Sequence, residues 1–343
     1  MITVRKAKEE DRLGWDEYVL LHKDASPYHL YAWRLAIESA YKHRSHYFLA
    51  EDGTKIVGVL PVVRIAIPFI KQEFCSLPFC DLGGALADNE DVAEQLLKYA
   101  MNEFGGQLNI RASQSVYRQQ EEFKQGEKVR MLLALPSGAE ELFASFKSKL
   151  RSQVRKAEKN GVSFRHGDVA KDMPGFYSVM QNNMHQLGSP VHSFKWFSEV
   201  LKHFNNKAQL FVVEYDGVIV GASILLLTNN VATVPWASTL PEYNKYAPNM
   251  LLYWAMLKYA AENGFEFFDF GRSSYGEGTF KFKKQWGAQA VSLDWREYDQ
   301  GKLVAHATEN QGKIRSLIAT AWTKLPFAAV NFLGPQLRRY ISL

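Results

Sequence analysis

One pattern occurs twice in the chain, and this internal duplication limits the folds that it can adopt. Three short segments recur: 2–5 as 162–165, 52–53 as 216–217, and 97–100 as 257–260. Three single residues recur at a constant spacing of 163 positions: Trp33 as Trp196, Phe48 as Phe211 and Gly58 as Gly221. Self-similarity of this kind indicates repeated structural units. The sequence therefore predicts two copies of one unit, with a ligand cleft between the copies.

Each copy is predicted to run in the order strand, two helices, strands, helix, strand, because apolar segments of strand length alternate with helical patterns and Asp-Gly turns. This order predicts an α+β fold with mixed, largely antiparallel sheets flanked by helices. The length of 343 residues suits two domains. We expect a first unit at 1–145, a second at 146–299, and packing of the C-terminal segment 300–343 on the first unit.

Composition and charge exclude several classes of protein. The two cysteines, Cys75 and Cys80, are too few for a four-thiolate zinc site, and no metal site is expected. The charged N-terminal segment lacks the apolar region of a signal peptide, and no apolar run is long enough to cross a membrane. We therefore expect a cytoplasmic protein, with the inner face of the membrane as the alternative location.

The C-terminal segment 314–343 is amphipathic and mixes basic residues with Trp and Phe. Its basic residues are Arg315, Lys324, Arg338 and Arg339. The pattern predicts a helix that packs on the body of the protein. Peripheral contact with a membrane surface is the alternative interpretation.

The stretch 265–287 carries the strongest signal of a functional site. Asp269 lies within a phenylalanine-rich strand pattern that is followed by a loop with three glycines. Arg272 and Tyr275 lie in that loop, and Lys281 and Lys283 follow. Polar residues after a buried strand are where mixed α/β folds place their chemistry. The alternative for Phe-Lys-Phe-Lys at 280–283 is a β-hairpin with a solvated lysine face.

Residues 139–160 predict one long helix with a basic face that ends at Gly161. Its candidate substrate-binding residues are Arg151, Arg155, Lys156 and Lys159. Because this helix joins the two halves, we expect it to contact an anionic substrate. A solvated face without function is the alternative.

Two of these segments resemble a known family. Residues 150–162 are similar to the basic helix of FemAB-type aminoacyltransferases, which ends in a Lys-Ala-x-Lys-x-Gly-Val pattern. Phe282-Lys283 resembles the Phe-Lys pair that closes the second domain in that family. The order of elements in each half resembles the GNAT acyltransferase unit, and FemAB-type enzymes contain two such units in tandem. The resemblance covers essentially the whole chain.

Further motifs resemble the FemAB-like subgroup associated with exosortase (PEP-CTERM) systems. Leu-Gly-Ser-Pro-Val at 187–191 is similar to its Leu-Gly-Thr-Pro-Val. Phe-Asp-Phe-Gly-Arg-Ser at 268–273 and Phe-Lys-Lys-Gln-Trp-Gly at 282–287 also resemble its motifs, as does the segment 325–335. The resemblance implies transfer of an amino acid from aminoacyl-tRNA to an amine of a cell-envelope precursor. The resemblance leaves open whether the acceptor is a peptidoglycan precursor or an exopolysaccharide precursor.

The resemblance implies roles for Lys283 and Phe282, and the chemistry of the side chains suggests roles for Arg272 and Asp269. Lys283 would stabilise the oxyanion of acyl transfer, and Phe282 would form an aromatic wall near the terminal adenosine. Arg272 would bind a phosphate or carboxylate of the acceptor. Asp269 would accept a proton or orient Arg272, and its alternative is a structural partner that buries Arg272. Tyr246, Asn249 and Tyr275 are further candidates for the cleft.

Two other functions remain open from the sequence. An acyl-CoA N-acyltransferase would use acetyl-CoA or another acyl-CoA in place of aminoacyl-tRNA. GNAT enzymes bind the pyrophosphate of CoA with glycine-rich backbone at a helix N-terminus, and the corresponding stretch 243–250 has no glycine. A non-catalytic binding protein on the same duplicated fold is the third possibility. No bound cofactor is expected beyond the co-substrate.

Overall fold

The computed structural model describes residues 1–67, 71–113, 122–304 and 317–343, and its chain divides into two compact units. The first unit comprises Met1–Glu122, Val291–Asn310 and Arg339–Leu343. The second comprises Phe123–Ala290 and Gln311–Arg338. The second unit thus begins before position 146, because the strand at Lys128–Ala134 pairs with the strand at Phe267–Ser274.

In the first unit, one sheet carries the helices α1 to α3. Its elements in chain order are β1 (Ile2–Lys6), α1 (Arg12–Leu21), α2 (Tyr31–Tyr41), β2 (Arg44–Asp52), β3 (Lys55–Ile67), β4 (Lys71–Cys75), β5 (Leu86–Ala87), α3 (Glu90–Glu103) and β6 (Leu108–Ser113), with β13 (Gln289–Asp299) and β14 (Lys302–Val304) added later in the chain. The strand order is β1-β2-β3-β4-β6-β13. Neighbouring strands are antiparallel except β4 and β6, which pair in parallel at Cys75 and Asn109.

The second unit repeats this arrangement. Its elements are β7 (Lys128–Ala134), α4 (Ala139–Ser145), α5 (Ser148–Lys159), β8 (Val162–His166), α6 (Val169–Gln186), α7 (Phe194–Phe204), β9 (Ala208–Tyr215), β10 (Val218–Leu227), β11 (Val231–Thr239), α8 (Pro248–Glu262), β12 (Phe267–Ser274), α9 (Gly278–Gln285) and a C-terminal helix (Phe327–Arg338). The strand order is β7-β12-β11-β10-β9-β8, and only β11 and β12 pair in parallel. The predicted α+β fold with two repeated units is confirmed.

A three-residue ion cluster occurs at the same place in both units. In the first unit Arg5 contacts Asp11 at 2.7 Å and Glu51 at 2.8 Å. In the second unit Arg165 contacts Asp172 at 2.6 Å and Glu214 at 2.7 Å. Each arginine thereby ties its own strand, β1 or β8, to the start of a helix and to the next strand. The sequence repeat therefore extends to side-chain contacts.

The repeated glycines, Gly58 and Gly221, are sites of close approach. A Cβ atom at Gly58 would lie 2.8 Å from a methyl group of Val92 on α3. At Gly221 it would lie 2.6 Å from methyl groups of both Thr239 and Val213 on the neighbouring strands. Because such distances are shorter than van der Waals contact, both positions require glycine for tight packing.

Two local predictions were wrong. The segment 139–160 forms two helices, because Phe146 has an extended backbone and separates α4 from α5. Its buried ring packs edge-on against Trp254 and Trp286, with centroid distances of 6.0 and 5.4 Å. The hairpin suggested for 280–283 is the helix α9, in which Phe280 and Lys283 lie three positions apart and are both buried.

The C-terminal segment is shared between the units. We expected all of 300–343 to pack on the first unit, but the C-terminal helix belongs to the second unit. There a Cβ atom at Gly334 would lie 3.2 Å from the main-chain nitrogen of Val191. The last residues return to the first unit, where the carbonyl of Ser342 accepts hydrogen bonds from Phe79 and Arg111. Residues 305–316 of this segment lie outside the described residues.

The close approach at Gly221 predicts that Gly221→Ala lowers the free energy of unfolding by about 1–3 kcal/mol, because the added methyl group overpacks the β10 region. Gly278→Ala is the control, since a Cβ atom there has no neighbour within 4 Å and the residue is the first of α9. Urea unfolding of both variants measures the difference. Equal stability of the two variants would contradict the close-approach account.

Candidate active site

A bulge in β12 shapes the candidate site. The pairing of β12 with β7 shifts register between Asp269 and Arg272. Gly271 lies within the bulge with φ of 70°, which favours glycine. Its N–H donates to Oδ1 of Asp269 at 2.8 Å. Bulges commonly redirect groups of the chain beside active sites.

Asp269 forms a buried ion pair with Arg130 on the neighbouring strand. Nε of Arg130 lies 3.0 Å from Oδ2 of Asp269, and the two side chains are 6% and 2% exposed. The arginine that Asp269 binds is therefore Arg130, whereas the sequence suggested Arg272. Both carboxylate oxygens are engaged, one by Arg130 and the other by Gly271. This arrangement holds the bulge in place.

Lys283 reaches the bulge from α9. Its Nζ donates to the carbonyl oxygens of Gly271 at 3.3 Å and Arg272 at 2.8 Å. The residue is only 8% exposed. Main-chain carbonyl oxygens satisfy donors of a buried ammonium group. The structure thus brings Asp269, the main chain of Arg272, and Lys283 together at one point.

Aromatic side chains of α9 pack against neighbouring rings. The half-buried ring of Phe282 lies 4.9 Å from that of Tyr253, measured between centroids. The ring of Tyr275 lies between those of Phe123 and Phe280, at 5.4 and 4.6 Å. Burial raises the pKa of Tyr253 to about 12, so this phenol stays neutral at physiological pH. Lys281 on α9 is exposed.

The start of α8 holds two other predicted residues. Tyr246 ends a short 3-10 turn before α8, and its ring stacks on Tyr215 with a centroid distance of 4.2 Å. The hydrogen bond from Tyr215 and the neighbouring Lys245 lower the pKa of Tyr246. Asn249 is the half-buried second residue of α8. Pro248 opens this helix, and no glycine lies among the preceding residues of the 3-10 turn.

The predicted basic residues lie along α5. Arg151 donates to the carbonyl of Ala144 at 2.8 Å, and Arg155 lies over the ring of Phe143 at 5.3 Å. Lys156 and Lys159 are exposed. The two arginines border a cavity of about 470 Å³ that also contacts Trp254 on α8. The basic face is therefore accessible to a ligand.

The first unit contains a larger cavity that was not predicted from the sequence. It measures about 740 Å³, and its lining includes Tyr18, His22, Gly83, Gly84, Asn89 and Arg111. A Cβ atom at Gly83 would lie 2.0 Å from the carbonyl oxygen of Ser76, so this residue must be glycine. The adjacent glycines were the available signal, but they precede α3 by several residues and do not fit a phosphate-loop spacing.

The described residues of both units contain no group of three or more His, Cys, Asp or Glu side chains placed to hold a metal ion. In the same residues, no helix is long and apolar enough to cross a membrane.

Residues 144–284 match the family model of the acetyltransferase (GNAT) domain. This range runs from α4 to α9 and includes Lys283. The chain is also similar to the crystal structure of FemX, with a TM-score of 0.71 and 15% identity over 92% of this chain and 100% of that chain. The fold is a tandem GNAT fold.

Two further structures of similar size share the GNAT arrangement. L-PGS from Bacillus licheniformis has a TM-score of 0.54 and 11% identity, over 94% of this chain and 99% of that chain. A tandem GNAT protein from the clavulanic acid biosynthesis pathway has a TM-score of 0.53 and 10% identity, over 87% and 98%. Comparison with curated protein sequences gives no match.

The buried pair predicts that Asp269→Asn lowers the free energy of unfolding by about 3–5 kcal/mol, because Arg130 then keeps a buried charge without a counter-ion. Asp294→Asn is the control, since Asp294 and its partner Arg296 are 35% and 46% exposed. An exposed pair contributes at most about 1 kcal/mol. Urea unfolding compares the two variants, and an equal loss in both would contradict the structural role of Asp269.

Proposed function

We propose that the chain is a FemAB-type aminoacyltransferase. It transfers an amino acid from aminoacyl-tRNA to an amine of a cell-envelope or exopolysaccharide precursor in the cytoplasm. The observation that carries this proposal is the buried Lys283 ammonium, held by the carbonyls of Gly271 and Arg272 in the bulge of β12. The similarity to FemX and the Phe-Lys pair at 282–283 support it.

The reaction needs a fixed positive charge. The acceptor amine attacks the ester carbonyl carbon, and the carbonyl oxygen becomes an oxyanion. The bond between this carbon and the ribose oxygen then breaks; the amine loses one proton and the ribose oxygen gains one. An ammonium group that is already oriented stabilises the oxyanion without reorganisation. In our proposal Lys283 has this role.

Asp269 acts as a positioning residue in this scheme. Its two oxygens bind Arg130 and the N–H of Gly271, and these contacts fix the two carbonyls that orient Lys283. This role replaces the proton acceptor suggested by the sequence, because both oxygens of the carboxylate are already engaged. This indirect effect of Asp269 on Lys283 also explains why the buried pair of Asp269 and Arg130 lies beside the bulge.

The remaining candidates are assigned to the two substrates. Phe282 would contact the terminal adenosine of the tRNA, and Arg272 would bind a phosphate or carboxylate of the acceptor. Tyr275 would support these contacts through its packing on Phe280. Tyr246, Asn249 and Lys281 would contact the substrates at the edge of the site.

The basic face of α5 would contact the phosphates of the tRNA. Arg151, Arg155, Lys156 and Lys159 lie along one helix of 12 residues. Regularly spaced cations on an exposed helix suit a polyanion better than a small ligand, since each phosphate contact adds to affinity by releasing counterions. The donor would therefore bind on this side of the second unit.

An acyl-CoA donor is the alternative within the same fold. The match of residues 144–284 to the acetyltransferase (GNAT) domain favours it. The start of α8 argues against it, because Pro248 lacks an N–H and no glycine lies in the preceding turn to bring the backbone close to a pyrophosphate.

Lys283→Ala is expected to lower the rate of amino-acid transfer by about 100-fold or more, since removal of an oxyanion donor costs catalysis of this size. The assay follows radiolabelled amino acid from aminoacyl-tRNA to extracted envelope precursors. Lys284→Ala is the matched control: it removes an exposed lysine from the same helix and should retain transfer. Full activity of Lys283→Ala would contradict the proposed role.

Charge reversal on α5 provides a test of donor binding. Arg155→Glu combined with Lys159→Glu should weaken tRNA binding and reduce its salt dependence, because fewer counterions are released on binding. Lys195→Glu, at an exposed lysine of α7, is the control and should bind nearly as the parent protein does. Filter binding at several salt concentrations measures both effects. If the double variant binds tRNA with unchanged affinity, the basic face is solvated and does not bind the donor.

A further inference from the structure

The C-terminal helix exposes an apolar face to solvent. Its buried residues, Val330 and Gly334, lie on one side. At 3.6 residues per turn Leu333 and Leu337 lie beside this buried side, Phe332 lies opposite it, and Ala329 and Gln336 lie between them. Phe332, Leu333 and Leu337 are 74%, 41% and 47% exposed. A surface helix of a globular protein normally presents polar residues at its exposed positions.

Exposed apolar side chains continue before this helix. Leu325 and Phe327 are each 40% exposed, and Leu317 and Ile318 are 72% and 59% exposed. We name these residues together the C-terminal apolar surface: Leu317, Ile318, Leu325, Phe327, Phe332, Leu333 and Leu337. Single exposed apolar residues need no explanation, but a concentration of large ones in one segment marks an interaction surface.

The charge of this segment indicates what the surface binds. Residues 311–343 contain five Lys or Arg residues and no Asp or Glu. The whole chain has a net charge of +5, so the excess positive charge is that of this segment. Lys324, between the two exposed apolar stretches, is itself exposed. A basic segment with exposed Phe and Leu side chains is complementary to a surface that is both anionic and apolar.

We infer that the C-terminal apolar surface docks on an anionic lipid bilayer, with the C-terminal helix in the plane of the interface. Phe332, Leu333 and Leu337 enter the boundary between head groups and acyl chains, and Lys324 lies among the head groups. A helix of 12 residues is too short to cross the bilayer, so the contact is peripheral. The docking is independent of the donor that the active site uses.

A second copy of the chain fits this surface less well. In a two-fold dimer the same patch of both subunits meets itself. Such contact would place two basic, acid-free segments against each other, and like charges repel across an interface. An anionic bilayer supplies the negative charge that the C-terminal segment lacks.

The test is flotation of the full chain with vesicles of pure phosphatidylcholine and of phosphatidylcholine mixed with phosphatidylglycerol. We expect binding to the anionic vesicles, weakened by salt, and much weaker binding to the neutral ones. The double variant Phe332→Ser with Leu337→Ser should lower the partition coefficient at least about tenfold. Lys324→Glu should lower it less, through the charge alone.

A matched control removes apolar area elsewhere. Leu13→Ser with Val218→Ser changes side chains that are 83% and 48% exposed and should bind vesicles as the parent protein does. Because the changed residues are exposed in both double variants, both should fold, and circular dichroism checks this. Absence of binding to anionic vesicles, or an equal loss in both double variants, would overturn the inference. The inference would also be overturned if light scattering shows a dimer that dissociates in the variant Phe332→Ser with Leu337→Ser while this variant still binds vesicles.

Discussion

The position of one buried ammonium group depends on the bulge in β12. Lys283 is held by two main-chain carbonyls that a regular strand would direct into its ladder hydrogen bonds. The register shift falls at these residues, and Asp269 stabilises the bulge through Gly271. Arg130 balances the charge of Asp269 from the adjacent strand. A buried ammonium group, a glycine in the left-handed region and a buried ion pair are thus parts of one arrangement.

The sequence predicts the fold well because the duplication repeats local signals. Gly58 and Gly221 recur because both lie against neighbouring side chains that leave no room for a Cβ atom. Arg5 and Arg165 recur because each joins the same three elements of its unit. Because tertiary packing requires these residues at the same place in both units, they appear twice in the sequence. Their positions indicate the order of helices and strands in each unit.

The details of the candidate site were less predictable, because they depend on contacts distant in sequence. Arg130 lies 139 residues before Asp269, and no local pattern links the two. The alternation Phe-Lys-Phe-Lys has the period of a strand, yet packing of Phe280 and Lys283 on the same side favours a helix. Phe146 interrupts a strongly helical sequence because its ring fills a space beside two tryptophans. In each case tertiary packing overrides the local preference.

The choice of donor is the central claim, and binding measurements on the unmodified chain test it most directly. Calorimetry with aminoacyl-tRNA and, separately, with acetyl-CoA at low and moderate salt compares the two donors. The account predicts binding of aminoacyl-tRNA that weakens as salt increases, and no binding of acetyl-CoA. Stoichiometric binding of acetyl-CoA without binding of aminoacyl-tRNA would contradict the account and assign the chain to the acyl-CoA enzymes.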